Sequence, residues 1–342
     1  MTTQDIHFMK LAIKQAKKGL GLTSPNPPVG AIIVDKNGTI IGKGYHHRAG
    51  EAHAEINAIH NSLKKYPASV FKNATLYVTL EPCSSHGNTG ACTDAIIQHQ
   101  FSRVVYACSD PNPQHQGRAK RCLMKKNIPV TDGILNKEAQ HLIRYFTKSL
   151  TTGLPWVIAK SAMTLDARTT LPPGQGPWIT SSQALEDVQR LRSQIDAILI
   201  GGATLRHDNP HLTLRGKFAR NNHPQPARII STLSGDFPQD SHVFTDPYRD
   251  KTQVFTKKSL RFILKKLAKQ GIQSVMIESG GKLLANALKN DLIDEVVFYY
   301  APIIGGGCTQ AIQSNDISKK LSSIQMKKLG PDIRISGLIQ RS

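Results

Sequence analysis

Two segments, His53-Ala54-Glu55 and Glu81-Pro82-Cys83-SSHGNTGA-Cys92, constrain this chain more than any others. One imidazole and two thiolates can hold a zinc ion in tetrahedral geometry and leave the fourth position open to water. A structural zinc site takes four protein ligands instead, and His86, between the two cysteines, is the candidate fourth ligand for that alternative. The pattern favours a catalytic zinc centre whose ligands are His53, Cys83 and Cys92.

Glu55, two residues after the histidine, gives this centre its chemistry. A histidine, a glutamate two residues on and a later Pro-Cys form the signature of zinc deaminases, in which the glutamate relays protons. The general signature separates its cysteines by two residues, whereas eight separate Cys83 and Cys92. Alternatives stay open, because His-Ala-Glu occurs on ordinary helices and a buried cysteine is more often a small apolar residue than a ligand. The set as a whole favours hydrolytic removal of an amino group from a heterocycle.

The composition predicts two globular domains in a reducing compartment. The 342 residues suit two domains, which we place at 1–150 and 151–342. No apolar run approaches the ~18 residues of a membrane span, the N-terminus lacks the apolar stretch of a secretory signal, and five sparse cysteines argue against a disulfide framework. We therefore expect a cytoplasmic protein without a membrane partner.

The charge distribution bears on the class of ligand. The net charge of +20 divides evenly, since residues 1–150 carry 19 basic and 9 acidic residues and residues 151–342 carry 25 and 15. A nucleic-acid-binding appendage usually concentrates its basic residues in one tail or helix face. Even spreading is as compatible with a generally basic proteome as with anionic small-molecule ligands, and we expect no nucleic-acid partner.

Strands and helices alternate in the first half. Apolar spacing predicts helices over 5–20, 53–63 and 92–99, and strands over 31–34, 39–41, 74–80, 104–108 and 128–130. Such alternation predicts an α/β fold, a sheet layered with helices. It also places His53 and Cys92 at helix N-termini, where unpaired amides favour thiolate over thiol.

The second half has its own strand and helix pattern. Strands are predicted over 156–160, 195–200 and 274–277, and helices over 260–270 and 282–288. Glycine pairs follow two of these strands, at Gly201-Gly202 and Gly280-Gly281. A strand, a glycine pair and a helix start let backbone amides approach a phosphate, although such glycines more often form tight turns. Two such turns suggest a dinucleotide.

With these pieces together, the chain resembles the bifunctional deaminase/reductase family of bacterial riboflavin biosynthesis. The motifs that carry the resemblance are PNPPVG (25–30), GYHHRAGEAHAE (44–55), YVTLEPCSSHG (77–87), DPNP (110–113), TLDAR (164–168), WITS (178–181), RLRSQIDAILIGGATLRHDNP (190–210) and ESGG (278–281). The resemblance implies a cytidine-deaminase-like three-layer domain followed by a dihydrofolate-reductase-like domain. It also implies Zn²⁺ and NADPH as cofactors, a phosphorylated pyrimidine as substrate, and a homo-oligomer.

The resemblance further implies residue roles. Glu55 is the implied proton shuttle. Implied NADPH positions are Ala162, Trp178, Thr204, Asp208, Gly280, Gly281, Lys282, Leu283, Leu284, Ala285 and Asn286. Implied substrate positions in the reductase are Lys160, Gly176, Arg192, Leu212, Arg215 and Glu278, and those in the deaminase base pocket are Asn26, His46, Asp110 and Asn112.

Four departures from the family pattern concern the efficiency of the reductase and the binding of substrate. The metal loop reads GNTGAC where the family has GRTPPC, so Asn88 replaces an arginine that could contact the substrate phosphate. TLDAR replaces SLDGR, which puts Ala167 at a glycine position. Gly176 stands where the family has a serine, and RHDNP replaces ADDP, which keeps Asp208 but introduces Asn209. The predicted zinc ligands are unchanged.

Two other functions share parts of this pattern. A nucleic-acid base deaminase with a C-terminal binding domain would use the same zinc chemistry and would bind RNA with a steep salt dependence. A non-catalytic binding protein could keep both folds after the departures silenced the reductase. NADPH titration distinguishes this last hypothesis from the bifunctional enzyme, because absence of binding and of turnover would favour the non-catalytic protein.

Overall fold

The computed structural model describes residues 2–85, 90–176, 178–219 and 223–341. It divides into two compact units, Met1–Gly153 and Leu154–Ser342. The helix Arg144–Thr152 precedes the division and ends at Gly153, whose left-handed backbone caps it. The division therefore falls three residues after the sequence-based boundary at 150.

The first unit is a three-layer α/β domain. Its elements are α1 (Thr3–Ala16), β1 (Gly30–Val34), β2 (Ile40–Tyr45), α2 (Ala54–Leu63), β3 (Thr75–Leu80), α3 (Cys92–Gln98), β4 (Arg103–Cys108), α4 (Arg118–Met124), β5 (Val130–Asp132), α5 (Asn136–Leu142) and α6 (Arg144–Thr152). The strand order is β2-β1-β3-β4-β5. β1 runs antiparallel to β2 and β3, and β3, β4 and β5 are parallel.

Alternate residues of the central strands bury opposite faces of this sheet. Ile32 and Val34 pack with residues of α1 and α5, whereas Ala31 and Ile33 pack with residues of α2 and α3. This alternation follows from the two-residue repeat of a strand. Each face of the sheet therefore has its own apolar core and its own layer of helices.

Two glycines let helices approach the sheet closely. A Cβ at Gly30 would lie 2.2 Å from the carbonyl oxygen of Ala12, and one at Gly44 would lie 2.3 Å from that of Ala54. Any larger residue at Gly44 would push away the first turn of α2. That turn carries Glu55, so Gly44 helps to set the position of the predicted proton shuttle.

The second unit contains an eight-stranded mixed sheet. Its elements are β6 (Trp156–Met163), α7 (Ser182–Arg192), β7 (Ala197–Gly201), α8 (Gly202–Asp208), β8 (Ala227–Thr232), α9 (His242–Thr245), β9 (Thr252–Thr256), α10 (Leu260–Lys269), β10 (Ser274–Ile277), α11 (Gly281–Lys289), β11 (Glu295–Tyr300), β12 (Leu321–Leu329) and β13 (Asp332–Ile339). The order is β12-β13-β11-β6-β10-β7-β8-β9. All pairs from β11 to β9 are parallel, and β13 is antiparallel to both of its neighbours.

Most predicted elements are confirmed, with shifts at their ends. The first helix ends at Ala16 and continues as a 3₁₀ turn over Lys17–Gly19. The fifth strand begins at Val130, not at Ile128, because Pro129 has no N–H to donate to the sheet. None of the helices in the described ranges has both the length and the apolar character needed to cross a membrane.

Candidate functional sites

The three predicted zinc ligands lie together at two helix starts. His53 is the N-cap of α2, Cys92 is the first residue of α3, and Cys83 follows β3. Nδ1 of His53 lies 3.3 Å from Sγ of Cys92 and 3.5 Å from Sγ of Cys83. The three donor atoms all lie within 4.8 Å of one another. The structure therefore converges one nitrogen and two sulfurs on one point.

The donor set suits a zinc ion. The pKa of the Cys83 thiol is lowered to about 4, first by its hydrogen bond with Cys92 and also by His53, so a thiolate forms readily. The amide of Cys92 also donates to Sγ of Cys83, over 3.3 Å. Soft thiolates with an imidazole are typical zinc ligands, and three protein ligands leave a position open. His86, the alternative fourth ligand, lies outside the described residues.

Glu55 lies in the first turn of α2 and is only 3 % exposed. Burial, followed by the negative charge of Cys83, raises the pKa of its carboxyl to about 7, while His53 opposes the shift. A carboxyl group with a pKa near neutrality can both take up and release a proton at physiological pH. This is the behaviour that a proton shuttle needs.

Asn26 and His46 form a polar pair beside the metal ligands. Nε2 of His46 lies 3.1 Å from Nδ2 of Asn26, and its Nδ1 lies 3.2 Å from the carbonyl oxygen of Ala52. A carbonyl can only accept, so Nδ1 carries the proton and Nε2 accepts from Asn26. Desolvation lowers the pKa of His46, in keeping with this neutral form. Its ring meets that of His53 edge to face at 5.3 Å.

Asp110 and Asn112 lie in the loop 109–117, between β4 and α4. Oδ1 of Asp110 accepts from the amide of Asn112 at 2.8 Å, and Oδ1 of Asn112 accepts from that of Gln114 at 3.0 Å. Sequence reasoning missed the residue that anchors this loop. Glu81, 4 % exposed, accepts from three of the amides around it. An acidic residue directly after the buried strand Thr75–Leu80 was the available signal.

In the second unit, three of the predicted substrate residues form a buried charged cluster. Nε and Nη2 of Arg192 donate to the two carboxylate oxygens of Glu278 at 2.6 and 2.9 Å. Nζ of Lys160 lies 3.5 Å from the same carboxylate, and Nη1 of Arg192 donates to the carbonyl oxygen of Thr213. Burial would raise the pKa of Glu278, yet the charges of Arg192 and Lys160 lower it to about 2. The cluster carries one net positive charge, which suits an anionic or oxygen-rich ligand.

The remaining substrate positions differ in character. Arg215 is exposed, and its amide donates to Oε1 of Gln189. Leu212 is buried with a φ of +54°, a strained backbone for a residue with a branched side chain. Gly176 is exposed with a φ of +87°, which glycine adopts without strain. The structure places these three outside the hydrogen-bonded cluster around Glu278.

The two glycine turns that were predicted to approach a phosphate both open helices. Gly202 begins α8 after β7, and Gly281 begins α11 after β10. Oγ1 of Thr204 on α8 lies 3.0 Å from Oγ of Ser279, which joins the two turns. The amide of Gly281 donates to the carbonyl oxygens of Gln310 and Ala311, so it is not available to a ligand.

Side-chain burial limits what the other predicted cofactor residues can do. Leu284 and Ala285 are buried, so their contacts with a ligand would be made by backbone atoms. Lys282, Asn286 and Asp208 are exposed, and Leu283 and Ala162 are half-buried. Trp178 is 61 % exposed, so its ring is not part of the apolar core and its face is open.

Comparisons with known proteins match both units. The family model for the cytidine and deoxycytidylate deaminase zinc-binding region matches residues 2–108, and that for the RibD C-terminal domain matches 155–335. The riboflavin biosynthesis proteins RibD of Escherichia coli and Aquifex aeolicus are 36 % and 37 % identical, over 96 % and 97 % of this chain and 98 % and 97 % of theirs.

Solved structures show the same likeness. Acinetobacter baumannii RibD superposes with a TM-score of 0.87 at 34 % identity, over 99 % of both chains. The Thermotoga maritima diaminohydroxyphosphoribosylaminopyrimidine deaminase/5-amino-6-(5-phosphoribosylamino)uracil reductase superposes with a TM-score of 0.86 at 32 % identity, over 98 % of this chain and 99 % of that one.

Proposed function

The chain belongs to the RibD family of bifunctional riboflavin-biosynthesis enzymes, and we propose that each unit houses one of the two reactions. The first unit hydrolyses the exocyclic amine of a diaminopyrimidinone ribosyl phosphate and releases ammonia. The second unit then reduces the ribosyl group of that product to a ribityl group. Zn²⁺ serves the first reaction and NADPH the second.

Four residues are proposed to take part directly in deamination. His53, Cys83 and Cys92 would hold the zinc ion, which would lower the pKa of a bound water. The Glu55 carboxylate takes a proton from the attacking water and delivers it to the departing amino group. Burial keeps this proton in a path closed to bulk solvent, and a pKa of about 7 suits both directions of transfer.

Four polar residues are proposed to recognise the pyrimidine. The Ala52 carbonyl oxygen orients His46, and His46 in turn orients the Asn26 side chain, so His46 is proposed to act by holding Asn26 in place beside the metal ligands. Asp110 and Asn112 offer a second edge from the loop 109–117. Fixed donors and acceptors select a ring by its hydrogen-bonding pattern, because an unmatched buried polar group is costly.

Reduction needs a hydride at the ribosyl carbon C1 and a proton at the ring oxygen that leaves it. NADPH supplies the hydride when it is bound. Lys160 is proposed to supply the proton, since desolvation lowers the pKa of its ammonium and Glu278 keeps it charged. Arg192 fixes Glu278 through two hydrogen bonds. Arg215 and the backbone at Leu212 and Gly176 are proposed to hold the phosphorylated end.

NADPH is proposed to lie across the two glycine turns. Thr204, Asp208 and Ala162 approach it from one side, the first turns of α11 from Gly280 to Asn286 receive its phosphates, and Trp178 covers a ring. Support comes from helix N-termini that favour anions and from the exposed indole. The coupling of Thr204 to Ser279 keeps both turns in register.

The observation that carries the proposal is the convergence of His53, Cys83 and Cys92 beside buried Glu55. The test is zinc content and turnover of the purified chain. We expect one zinc per chain, ammonia release from the diaminopyrimidinone substrate, and NADPH oxidation that requires the deaminated product. A zinc-free chain that deaminates, or NADPH oxidation without that product, contradicts the proposal.

We further propose that the enzyme works in the cytoplasm as a homo-oligomer on free small molecules, not on nucleic acid or at a membrane. The even charge distribution supports free small molecules as ligands, and five cysteines that are all free in the structure support a reducing compartment. The homo-oligomer rests on the resemblance to the family. Light scattering should give a mass of at least twice the 37.5 kDa chain, and the mass of a single chain would contradict the homo-oligomer. Tight RNA binding with a steep salt dependence would favour a nucleic-acid deaminase instead.

A further inference from the structure

Glu81 is a buried acidic residue with no part in the two reactions described so far. It directly follows β3 and precedes Pro82 and Cys83, and its amide donates to the carbonyl oxygen of Cys108 at the end of β4. Oε2 accepts from the amides of Asp110 and Gly117 at 3.3 and 2.9 Å, and Oε1 accepts from that of Ala119 at 3.1 Å. One carboxylate therefore binds both ends of the loop 109–117.

The helix after this loop lacks a cap of its own. The N-cap of α4 is Gly117, which has a left-handed backbone with a φ of +72° and no side chain to accept from the first turn. Glu81 accepts from Ala119 in that turn and so replaces the missing cap from a different strand. A negative charge at a helix N-terminus also interacts favourably with the helix dipole.

Glu81 also connects two parts of the deaminase site. On one side, two residues along the chain, lies Cys83, whose carbonyl oxygen accepts from the amide of Thr93 on α3. On the other side lies the loop that holds Asp110 and Asn112. Inside the loop, Asp110 binds the Asn112 amide, so a shift of Asp110 also shifts Asn112.

We propose that Glu81 is a positioning residue for deamination, which sets the distance between the metal ligands and the pyrimidine-binding loop 109–117. This inference rests on the proposed function, because it assigns that loop to substrate binding. Its chemical basis is that a carboxylate offers two acceptor atoms and no donor. A glutamine of the same shape would direct an N–H group either at the amides of Asp110 and Gly117 or at that of Ala119, so it would release either the loop or the start of α4.

The test compares steady-state deamination by Glu81→Gln and Glu81→Asp with that by Glu138→Gln, an exposed glutamate of the same unit. The expected result for Glu81→Gln is a KM raised roughly tenfold, as lost hydrogen bonds imply, with a smaller fall in kcat. Zinc content and NADPH-dependent reduction of the deaminated substrate should match the wild type. Glu81→Asp keeps the charge but is shorter by one methylene, so it should give an intermediate KM. Glu138→Gln should change nothing.

A double variant tests whether the effect runs through the loop. If Glu81 acts by placing Asn112, then Glu81→Gln and Asn112→Ala should raise KM together by less than the product of their separate effects. Unchanged KM in soluble, zinc-loaded Glu81 variants would overturn the proposal, as would loss of zinc, since Glu81 would then support the metal ligands instead. If Glu81→Gln does not fold, Glu81→Asp alone decides by the same criteria. Failure of the wild type to deaminate would instead refute the proposed function.

Discussion

Removal of Arg192 should destabilise the second unit by leaving a buried carboxylate without its main partner. In the wild type, the pKa of Glu278 is about 2 against an ordinary value of 4.5, although burial alone would raise it. This difference of about 2.5 units corresponds to about 3 kcal/mol of folding free energy at neutral pH. Breaking a buried ion pair from one side costs a similar 3–5 kcal/mol. We therefore expect Arg192→Ala to lower the free energy of unfolding of the second unit by about 3 kcal/mol. The variant should also lose NADPH-dependent reduction, whereas deamination should be unchanged.

The chain offers a fluorescence signal specific to this unit. Both tryptophans, Trp156 and Trp178, lie in the unit Leu154–Ser342, so urea unfolding followed by indole fluorescence reports on it alone. With a slope of about 2 kcal/mol per molar urea, 3 kcal/mol lowers the midpoint by about 1.5 M. Arg261→Ala, which removes an exposed arginine of α10, is the control and should shift the free energy of unfolding by at most about 0.5 kcal/mol.

The effect of Arg192→Ala on stability should depend on pH in a definite direction. In the wild type the lowered pKa of Glu278 stabilises the fold above pH 4.5, and this contribution disappears as the pH falls toward 2. In Arg192→Ala only Lys160 remains to offset burial, so the pKa of Glu278 rises above its wild-type value and protonation relieves the buried charge at a higher pH. The difference in free energy of unfolding between wild type and Arg192→Ala should therefore become smaller as the pH falls from 7 to 4. A midpoint no lower than that of Arg261→Ala, or deamination lost together with reduction, would refute the reasoning.

Three further changes test other parts of the structure. Ala167→Gly should stabilise the second unit by about 0.5–1 kcal/mol in the same urea assay, because it relieves a φ of +62° at a cost in chain entropy; a lower midpoint would contradict this. Asp5→Asn should destabilise the first unit by about 2 kcal/mol, because it weakens the pairing with Arg103 that lowers the Asp5 pKa to about 2. The difference in stability between wild type and Asp5→Asn, followed by circular dichroism, should be constant above pH 4 and should disappear toward pH 2. A difference that does not depend on pH would count against the pairing. Trp178→Ala should raise the NADPH dissociation constant about fivefold to tenfold without changing stability, as measured by NADPH fluorescence titration, and equal affinity would remove Trp178 from the cofactor site.

Periodicity predicted most of the elements that position the deaminase site. The strand over 74–80 and the helices from 53 and 92 are confirmed almost to the residue, because apolar runs and helix starts are local signals. The residue types of His53, Cys83 and Cys92 in the deaminase pattern also predicted their convergence, although the separation of the two cysteines departs from the general signature. Those side chains could be named because metal ligation restricts residue type.

Contacts between distant segments were harder to predict. Glu81 anchors amides 29 to 38 residues away, and its identity alone says nothing about those partners. Likewise Ser279, next to Glu278 in the sequence, meets Thr204 only because β7 and β10 are neighbours in the sheet. In β12, Ile324 and Met326 alternate with a polar residue, yet both are exposed, so alternation there does not identify a buried face.

Some of the departures from the family pattern have a local structural explanation, and others do not. Ala167 does occupy a left-handed backbone, so the glycine usual there has a local physical reason. Asn209 adopts a φ of +38° at the end of α8, a conformation that asparagine tolerates well. Asn88 lies outside the described residues, and its effect on phosphate binding stays a prediction. The strain at Ala167 is thus the departure with a measurable structural consequence.

The most direct test of the whole account is Glu55→Gln, assayed for zinc, deamination and reduction in one preparation. Glutamine keeps the shape of Glu55 but cannot carry the proton, so one zinc per chain should remain while deamination falls by about 10²–10⁴-fold. Reduction of the already deaminated substrate should continue at the wild-type rate. Normal deamination by this variant, or loss of its zinc, would contradict the assignment of Glu55 as a proton carrier that does not bind the metal.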